Sequence, residues 1–347
     1  MPAPPPQFLK PLLLVGLFAP PEELSAAVVL DTFYFYSLAH QASFDVCWTR
    51  GSVAETLFAP LMERMRAAGA EILGGHLMTD VDIDQSTGMA SSVTCRRTDG
   101  TTVVLEADAV VFAMGVSGMQ RLVQGVPALA TRRFFRGMNN LKGLDVMAVR
   151  VWLDKKVDTR FSSNVLSGFQ QDCGGTWFNL NDLHDEYRDA PGSVIAADFY
   201  HSNALMSMTD EDVVAEVVDS LVSCEPSFAG AKVEDFAVLR FPRAVTHFSP
   251  GSYQWRPTQE TPFPNVFMAG DWIKGLPYGM NGLSQERAYV TGLRAASMVC
   301  ETLGEGSPAD IKDVEEDEPH VKIAKDLNSQ FKRALEQAGI LPSPFLF

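Results

Sequence analysis

Residues 262–298 read PFPNVFMAGDWIKGLPYGMNGLSQERAYVTGLRAASM, and the rest of the chain is best read outward from them. Val266–Ala269 is a short, continuously apolar run, the pattern of a parallel strand covered on both faces. It delivers Gly270-Asp271 to the carboxyl end of a sheet, where α/β proteins bind ligands. Gly270 lets a ligand approach the backbone closely. Asp271 is an acceptor suited to sugar-like hydroxyls. Gly275, Gly279 and Gly282 keep the following loop tight against a flat or phosphorylated partner. The helix predicted from about Ser284 to Leu303 points its N-terminus, with free N–H groups and a positive dipole end, at the same place. A cofactor that becomes anionic on reduction is stabilised there. A strand–loop–helix whose glycines only turn the chain has the same spacing, so spacing alone leaves both readings open.

Val110–Ala113 is a second continuous apolar run. Gly115 follows, and Ser117–Val123 looks helical, so a buried strand ending in Gly enters a helix, which is an α/β unit. Over Gly51–Ile72, Ser52 can cap a helix in which Val53, Leu57, Leu61, Met62 and Met65 recur at helical spacing, and Gly69 ends it. AEILGGHLMTDVDIDQSTG (70–88) then reads as a short strand, a turn and a second strand. VTCRRTDGTTVVLEADAVVFAMG (93–115) is a hairpin turning at Asp99-Gly100, ahead of the buried strand.

In the N-terminal region, Pro20-Pro21 with Glu22 and Glu23 marks a helix start. Asp145–Asp154, Ser193–His201 and Val233–Phe241 are predicted strands. Asp210–Cys224 is a predicted helix capped by Thr209 with Asp212. The stretch 242–266, rich in Pro, Gly and aromatics, is predicted as a long ordered connection. Asp310–Glu318 is an acidic, solvated linker. Val321, Ala324, Leu327, Phe331 and Leu335 then give a helical stripe that either packs back on the main body or serves, with Phe345–Phe347, as a docking tail; packing back is the expectation. No internal repeat is present.

The chain has 347 residues, with Lys+Arg 28 against Asp+Glu 43 and a net charge of −15. That length allows one large domain or two of common size. Hydrophobic residues at 46% and charged residues at 20% exclude a mostly disordered chain. The acidic balance argues against a nucleic-acid binder and against polybasic attachment to anionic lipid. Cys47, Cys95, Cys173, Cys224 and Cys300 are scattered without a CxxC pair, so no zinc site or disulfide framework is expected. An odd count fits reduced thiols in an intracellular or organellar compartment. No run of eighteen apolar residues occurs, and MPAPPPQ at the start lacks the basic region of a signal peptide. His40, His76, His184, His201, His247 and His320 are isolated in sequence. No Ser–His–Asp or metal-ligand constellation is found, so no catalytic residue is assigned.

VFMAGDWIKG…QERAYVTGLRAA resembles the C-terminal signature of the FAD-dependent amine oxidase superfamily, nearest its phytoene/carotene-desaturase branch. In that family the signature acid, here Asp271, hydrogen-bonds the flavin's ribityl chain. Glu286, Ala288, Thr291 and Gly292 fall on the helix motif beside the isoalloxazine ring, and Arg287 stands where the family usually has Gly. Supporting matches are Arg243…Phe248-Ser249-Pro250-Gly251…Arg256-Pro257, Gly51-Ser52 with its helix, His76–Asp84 and Ala107–Met114. The resemblance implies FAD as cofactor. It implies a cofactor-binding set of Gly270, Asp271, Met280, Asn281, Gly282, Glu286, Ala288, Met78 (at the adenine) and Ala113.

The family opens with a strand and GxGxxG that hold the dinucleotide phosphates, and this chain contains no GxGxxG. Three explanations follow: a truncated product, a split protein completed by another chain, or a descendant that no longer binds FAD. The retained segments favour the first two. The expected fold is α/β (α+β overall), with a partial FAD-binding Rossmann-like domain and an inserted mixed-sheet substrate domain. The divisions expected are 8–50, a helical substrate-side segment; 51–130 with 262–304, the FAD-binding domain; 131–261, the substrate domain; and 305–347, the acidic linker and tail.

The implied activity is that of an FAD-dependent oxidoreductase passing hydride from an apolar, terpenoid-like substrate to flavin N5. Phe33–Tyr36, Trp48 and Leu141–Trp152 could line an apolar channel. Residues 8–19 are the candidate for peripheral membrane contact. A partner chain would supply the missing half of the FAD site or dock the tail. A plastid location follows only for a photosynthetic eukaryote. The alternative is a non-catalytic flavoenzyme-fold protein serving as a structural subunit of a larger assembly.

Overall fold

The computed structural model describes residues 9–166, 173–276 and 280–338. The apolar N-terminal region forms α1 (Leu9–Gly16) and α2 (Ala26–Phe33), the latter continuing as a wider turn through Tyr34–Ala39. Pro21–Glu23 makes only a single tight turn. The helix expected there starts at Ala26 instead, because the Ser25 N–H donates to Phe248 O at 2.8 Å and holds the chain extended. A wide turn at Ala54–Phe58 leads into α3 (Ala59–Ala67), no residue of which is buried. Ser52 Oγ accepts from the Glu55 N–H, and Gly69 leaves the helix at φ +90°.

β1 (His76–Ile83), β2 (Ala90–Arg97) and β3 (Thr102–Glu106) form an antiparallel meander. The separate strand expected near Glu71–Leu73 does not form: β1 is the sheet's edge, and among the described residues no strand lies where those residues could pair. β4 (Val110–Phe112) then enters α4 (Val116–Gly125), followed by the short α5 (Pro127–Ala130) and α6 (Arg133–Gly137).

Five strands make the large antiparallel sheet: β5 (Lys142–Leu153), β6 (Ser163–Leu166), β7 (Gly174–Asn179), β8 (Val194–Tyr200) and β9 (Val233–His247), in the order β6-β7-β8-β5-β9. Between strands lie α7 (Leu180–Leu183) and α8 (Asp210–Cys224), the latter capped by Thr209 Oγ1 on the Asp212 N–H. β9 runs six residues further than expected, to His247. It passes Pro242 in a bulge: Val146 faces Phe241 while Leu144 faces Val245, and the Arg243 N–H donates to Asp145 Oδ1. A bulge is where a strand tolerates a residue without an N–H. β6 and β7 were not foreseen. Gly174-Gly175 suggests a turn, yet a Cβ at Gly174 would stand 2.6 Å from Leu14 Cβ, so the missing side chain is what lets α1 lie on β7.

β10 (Val266–Met268) pairs in parallel with β4, Val266 against Val110 and Met268 against Phe112. Two buried apolar runs thus become neighbours as the patterning requires. Among the described residues no strand pairs with the other edge of β4. α9 (Gln285–Leu303) follows, and α10 (Pro319–Gln337) ends the described chain.

The three largest apolar cores among the described residues hold these pieces. Phe112, Met119, Phe135, Met268, Trp272 and Ile273 unite the parallel pair with β1 and α4–α6. Met147, Val151, Trp177, Phe199 and Val217 fill the space between the large sheet and α8. Leu17, Val28, Leu144, Phe248 and Met280 join the N-terminal helices to the sheet and to the loop before α9. α10 departs from the packed-back expectation. Of its apolar stripe only Val321 is buried, whereas Leu327 and Phe331 are exposed. It is latched at its start, where Lys325 and Asp317 both bond Tyr34. Phe345–Phe347 and Gly279 lie outside the described residues.

No described helix is long and apolar enough to cross a membrane. Among the described residues no acidic, His or Cys cluster could hold a metal, and the five cysteines are free.

Candidate cofactor site

The site is built where β10 ends. The Ala269 N–H donates to Phe112 O at 3.0 Å, so the strand still pairs with β4 one residue before Gly270. Gly270 sits at φ +136°, and a Cβ there would approach Trp272 Nε1 to 2.8 Å, so the position requires glycine. The Gly270 N–H donates to Thr291 Oγ1 on α9 at 2.8 Å, which clips the strand end to the helix.

Behind the Asp271 turn lie two buried guanidiniums. Arg256 is 2% exposed and Arg287 1%. Arg256 donates through Nε to Trp272 O (2.7 Å) and through Nη2 to Ile273 O (3.0 Å) and Asn281 Oδ1 (2.9 Å). Arg287 donates to Ile273 O through Nε (3.1 Å) and Nη2 (2.7 Å). Burial, and then the neighbouring Arg287 charge, bring Arg256 down to about 10. Asp271 and Asp31 supply the opposing charge. Burial pushes the Asp271 carboxyl up to about 6, against the pull of Arg256. Asp31 Oδ2 accepts from the Asn281 N–H at 2.6 Å, so α2 also fixes the loop before α9.

Of the residues singled out from sequence, Gly270, Asp271 and Ala113 come together at the carboxyl ends of β10 and β4. Asn281 is held between Arg256 and Asp31, and Met280 and Gly282 pack beside Leu17 and Val28. Met78 lies on β1 against the same core as Trp272. Glu286 and Ala288 are exposed on the first turns of α9, while Arg287 between them turns inward. Ser284 caps this helix, its Oγ accepting from the Arg287 N–H. Sequence reasoning missed Asp31 altogether. The signal was there: one carboxylate in the apolar helix AAVVLDTF calls for a buried partner.

The donor set suits a flavin dinucleotide on one side. Trp272 Nε1 and Arg256 Nη1 are buried donors without hydrogen-bond partners among the described residues, and the Asp271 carboxylate can accept from hydroxyls. For the phosphate-binding side, the sequence holds no GxGxxG.

The sequence profile of flavin containing amine oxidoreductases matches residues 5–300. The chain belongs to this flavin-containing amine oxidoreductase family. Membership implies FAD as the cofactor. As an amine oxidoreductase relative, it is 26% identical over 267 residues to a 15-cis-phytoene desaturase of Synechococcus elongatus, covering 74% of this chain and 53% of that protein. It is 25% identical over 301 residues to a probable zeta-carotene desaturase of the same organism, covering 82% and 61%. The chain therefore spans about half the length of the curated phytoene desaturases it matches. Among solved structures, cyclohexylamine oxidase from Brevibacterium oxydans superposes with a TM-score of 0.57 at 15% identity, covering 86% of this chain and 64% of that one. An oxidoreductase from Methanosarcina mazei gives 0.55 at 16%, with the same coverage. These likenesses bear out the α/β fold expected of amine oxidoreductases.

Proposed function

We propose that this chain is the substrate-bearing part of an FAD-dependent oxidoreductase that oxidises an elongated, apolar, terpenoid-like molecule. The observation that carries the reading is the Gly270-Asp271 turn, strapped from behind by Arg256 and Arg287 with its carboxylate left to accept from a ligand. Gly270, Asp271, Asn281, Gly282 and Ala113 would hold the flavin half of FAD, with Met78, Met280 and the start of α9 at Glu286 and Ala288 around it. Bound FAD supplies the acceptor, at flavin N5, for a substrate hydride. The chain's own residues position and exclude water. Thr291 fixes the strand end, Asp31 and Arg256 fix Asn281, and the apolar cluster of Leu17, Val28, Met280 and Phe248 keeps the neighbouring volume dry.

In this reading 51–130 with 262–304 is the flavin-binding domain, 131–261 the substrate domain, 8–50 the substrate-side segment and 305–347 a linker and tail. The phosphate-binding βαβ unit is supplied from outside these 347 residues, by a partner chain or by a further stretch of the same polypeptide. Its seat is the edge of β4 that no described strand pairs with; the turn Ala54–Phe58 and α3, whose Leu57, Phe58, Leu61 and Met65 are all exposed, offer it a second apolar surface. Single exposed apolar residues need no account, but a helix face of them marks a contact surface. A second reading, a non-catalytic subunit, draws on the exposed stripe of α10 and on Arg287 in place of the family's glycine.

The test is flavin retention. The purified chain, alone and fused behind a GxGxxG βαβ unit from a phytoene desaturase, is incubated with FAD, gel-filtered and scanned between 350 and 500 nm. Paired flavin bands in the fusion, lost on Asp271→Ala, are the expected result. A fusion that stays colourless overturns the oxidoreductase reading in favour of the structural subunit.

A further inference from the structure

The large sheet has two unlike faces. On β5 the odd residues Met147, Val149 and Val151 enter the core against α8, while the even residues Val146, Ala148, Arg150 and Trp152 face the other way and are only half-covered. Toward β9 this second face lies open: Leu239 is 57% exposed and Phe241 42%. Toward β7 it is walled by Phe18, stacked on Tyr200 at 4.0 Å, and by Trp48, edge-on to Phe178 at 5.1 Å. Its lower end is Leu144, which packs with Met280 beside the candidate cofactor loop.

Two charged side chains stand in this apolar face. Asp198 on β8 pairs with Ala148, and Arg150 pairs with Ala196, so the two are diagonal neighbours on one face. Such neighbours stand about 7–8 Å apart. Each is the other's nearby opposite charge, yet neither makes a hydrogen bond or a close ion pair with a described residue. Thr176, directly across from Asp198, bonds Tyr200 Oη at 2.9 Å, and neither hydroxyl makes a hydrogen bond to the carboxylate in this structure.

A half-buried donor and acceptor with a gap between them select the group that fills it. A hydroxyl accepts from the guanidinium and donates to the carboxylate. A carbonyl serves Arg150 alone, an ammonium serves Asp198 alone, and a carboxylate is repelled by Asp198. A pure hydrocarbon leaves both charges unpaired against apolar surface, which is costly.

We propose that Arg150 and Asp198 recognise a hydroxyl group on an otherwise apolar, elongated substrate. Six residues of strand separate Leu144 from Arg150, about 20 Å at roughly 3.3 Å per residue, so the hydroxyl lies that far from the Met280 end of the face. The inference deepens the proposed function and rests on it for the reaction, but the recognition is testable in flavin-free protein.

The probes are all-trans-retinol and the same polyene with the hydroxyl replaced by hydrogen. Binding is followed by quenching of tryptophan fluorescence, Trp152 lying on this face. Wild type is expected to bind the alcohol at least about tenfold more tightly. Arg150→Met, which keeps the stem length, and Asp198→Leu each reduce that preference to under about twofold, and Asp198→Leu takes up the hydrocarbon at least as well as wild type. Far-UV circular dichroism checks the fold of both, and Arg150→Met carries the test if Asp198→Leu does not fold. Equal affinities in wild type, no binding of either probe, or a preference that survives the substitutions overturns the proposal. A flavin-free chain that keeps the preference while its fusion stays colourless sinks the oxidoreductase reading and not this one.

Discussion

Arg256 and Arg287 donate to one carbonyl oxygen, that of Ile273. Two like charges converge there because Asp271 and Asp31 stand close enough to oppose them. The side chain at 287, where the resemblance leads one to expect glycine, thus straps the cofactor loop from behind.

The two straps are expected to be unequal. Arg256 alone serves Trp272 O and Asn281, so Arg256→Met leaves buried acceptors and carboxylates unmatched and costs about 3–5 kcal/mol. Arg287→Gly leaves Ile273 O still bonded and costs about 1–2 kcal/mol, part of it helix propensity. Urea unfolding of both single variants and the double should give a coupling of roughly 0.5–3 kcal/mol. Strict additivity would show that the shared carbonyl does not link them.

Asp271 gives a pH signature. Its folded pKa of about 6 lies above the ordinary 3.8. Its contribution to stability is therefore fully present below the unfolded value and is lost as pH rises through the folded one. Asp271→Asn is expected to stabilise the flavin-free chain at pH 8, by on the order of 2 kcal/mol, and to change little at pH 4. Unfolding midpoints at the two pH values decide it; equal effects at both would mean the carboxyl is not desolvated.

Asn265 is the joint between the meander and the parallel pair. It is fully buried, donates to Ala90 O and Asp108 O, and accepts from the Ala90 N–H, all at 2.8 Å. Asn265→Leu strands all three backbone groups and is expected to cost about 2–4 kcal/mol, read from urea unfolding. Asn265→Asp is expected to be worse, since it places a charge between two carbonyls.

Gly174 tests the seat of α1. Gly174→Ala forces its Cβ onto Leu14, costing about 1–3 kcal/mol as overpacking. Limited proteolysis should then cut within residues 9–20 sooner than in wild type. An unchanged cleavage rate would place the stability of α1 elsewhere.

What could be read in the sequence follows from where the cause of each element lies. β4 and β10 were legible because burial on both faces makes a strand continuously apolar, and the Gly270-Asp271 turn because its glycine answers a local backbone demand. β7 was hidden because Gly174 answers a demand from α1, far away in sequence. β9 beyond Pro242 was hidden because a bulge is a property of two strands. Arg256 and Asp31 are brought together at Asn281, 25 residues from one and 250 from the other, a relation no spacing rule carries. The histidines, isolated in sequence, are another such case: His201 and His247 both reach Glu23 Oε2, at 3.4 and 3.7 Å.

The edge of β4 that no described strand pairs with bears on how the protein is kept in a cell. A strand edge that no described strand covers is a template for any other copy with the same edge. Self-association then grows with concentration, whereas a cover for that edge removes it one molecule at a time. The soluble amount of this chain is accordingly expected to track the dosage of whatever covers β4, and overproduction of the chain alone to drive it into aggregates.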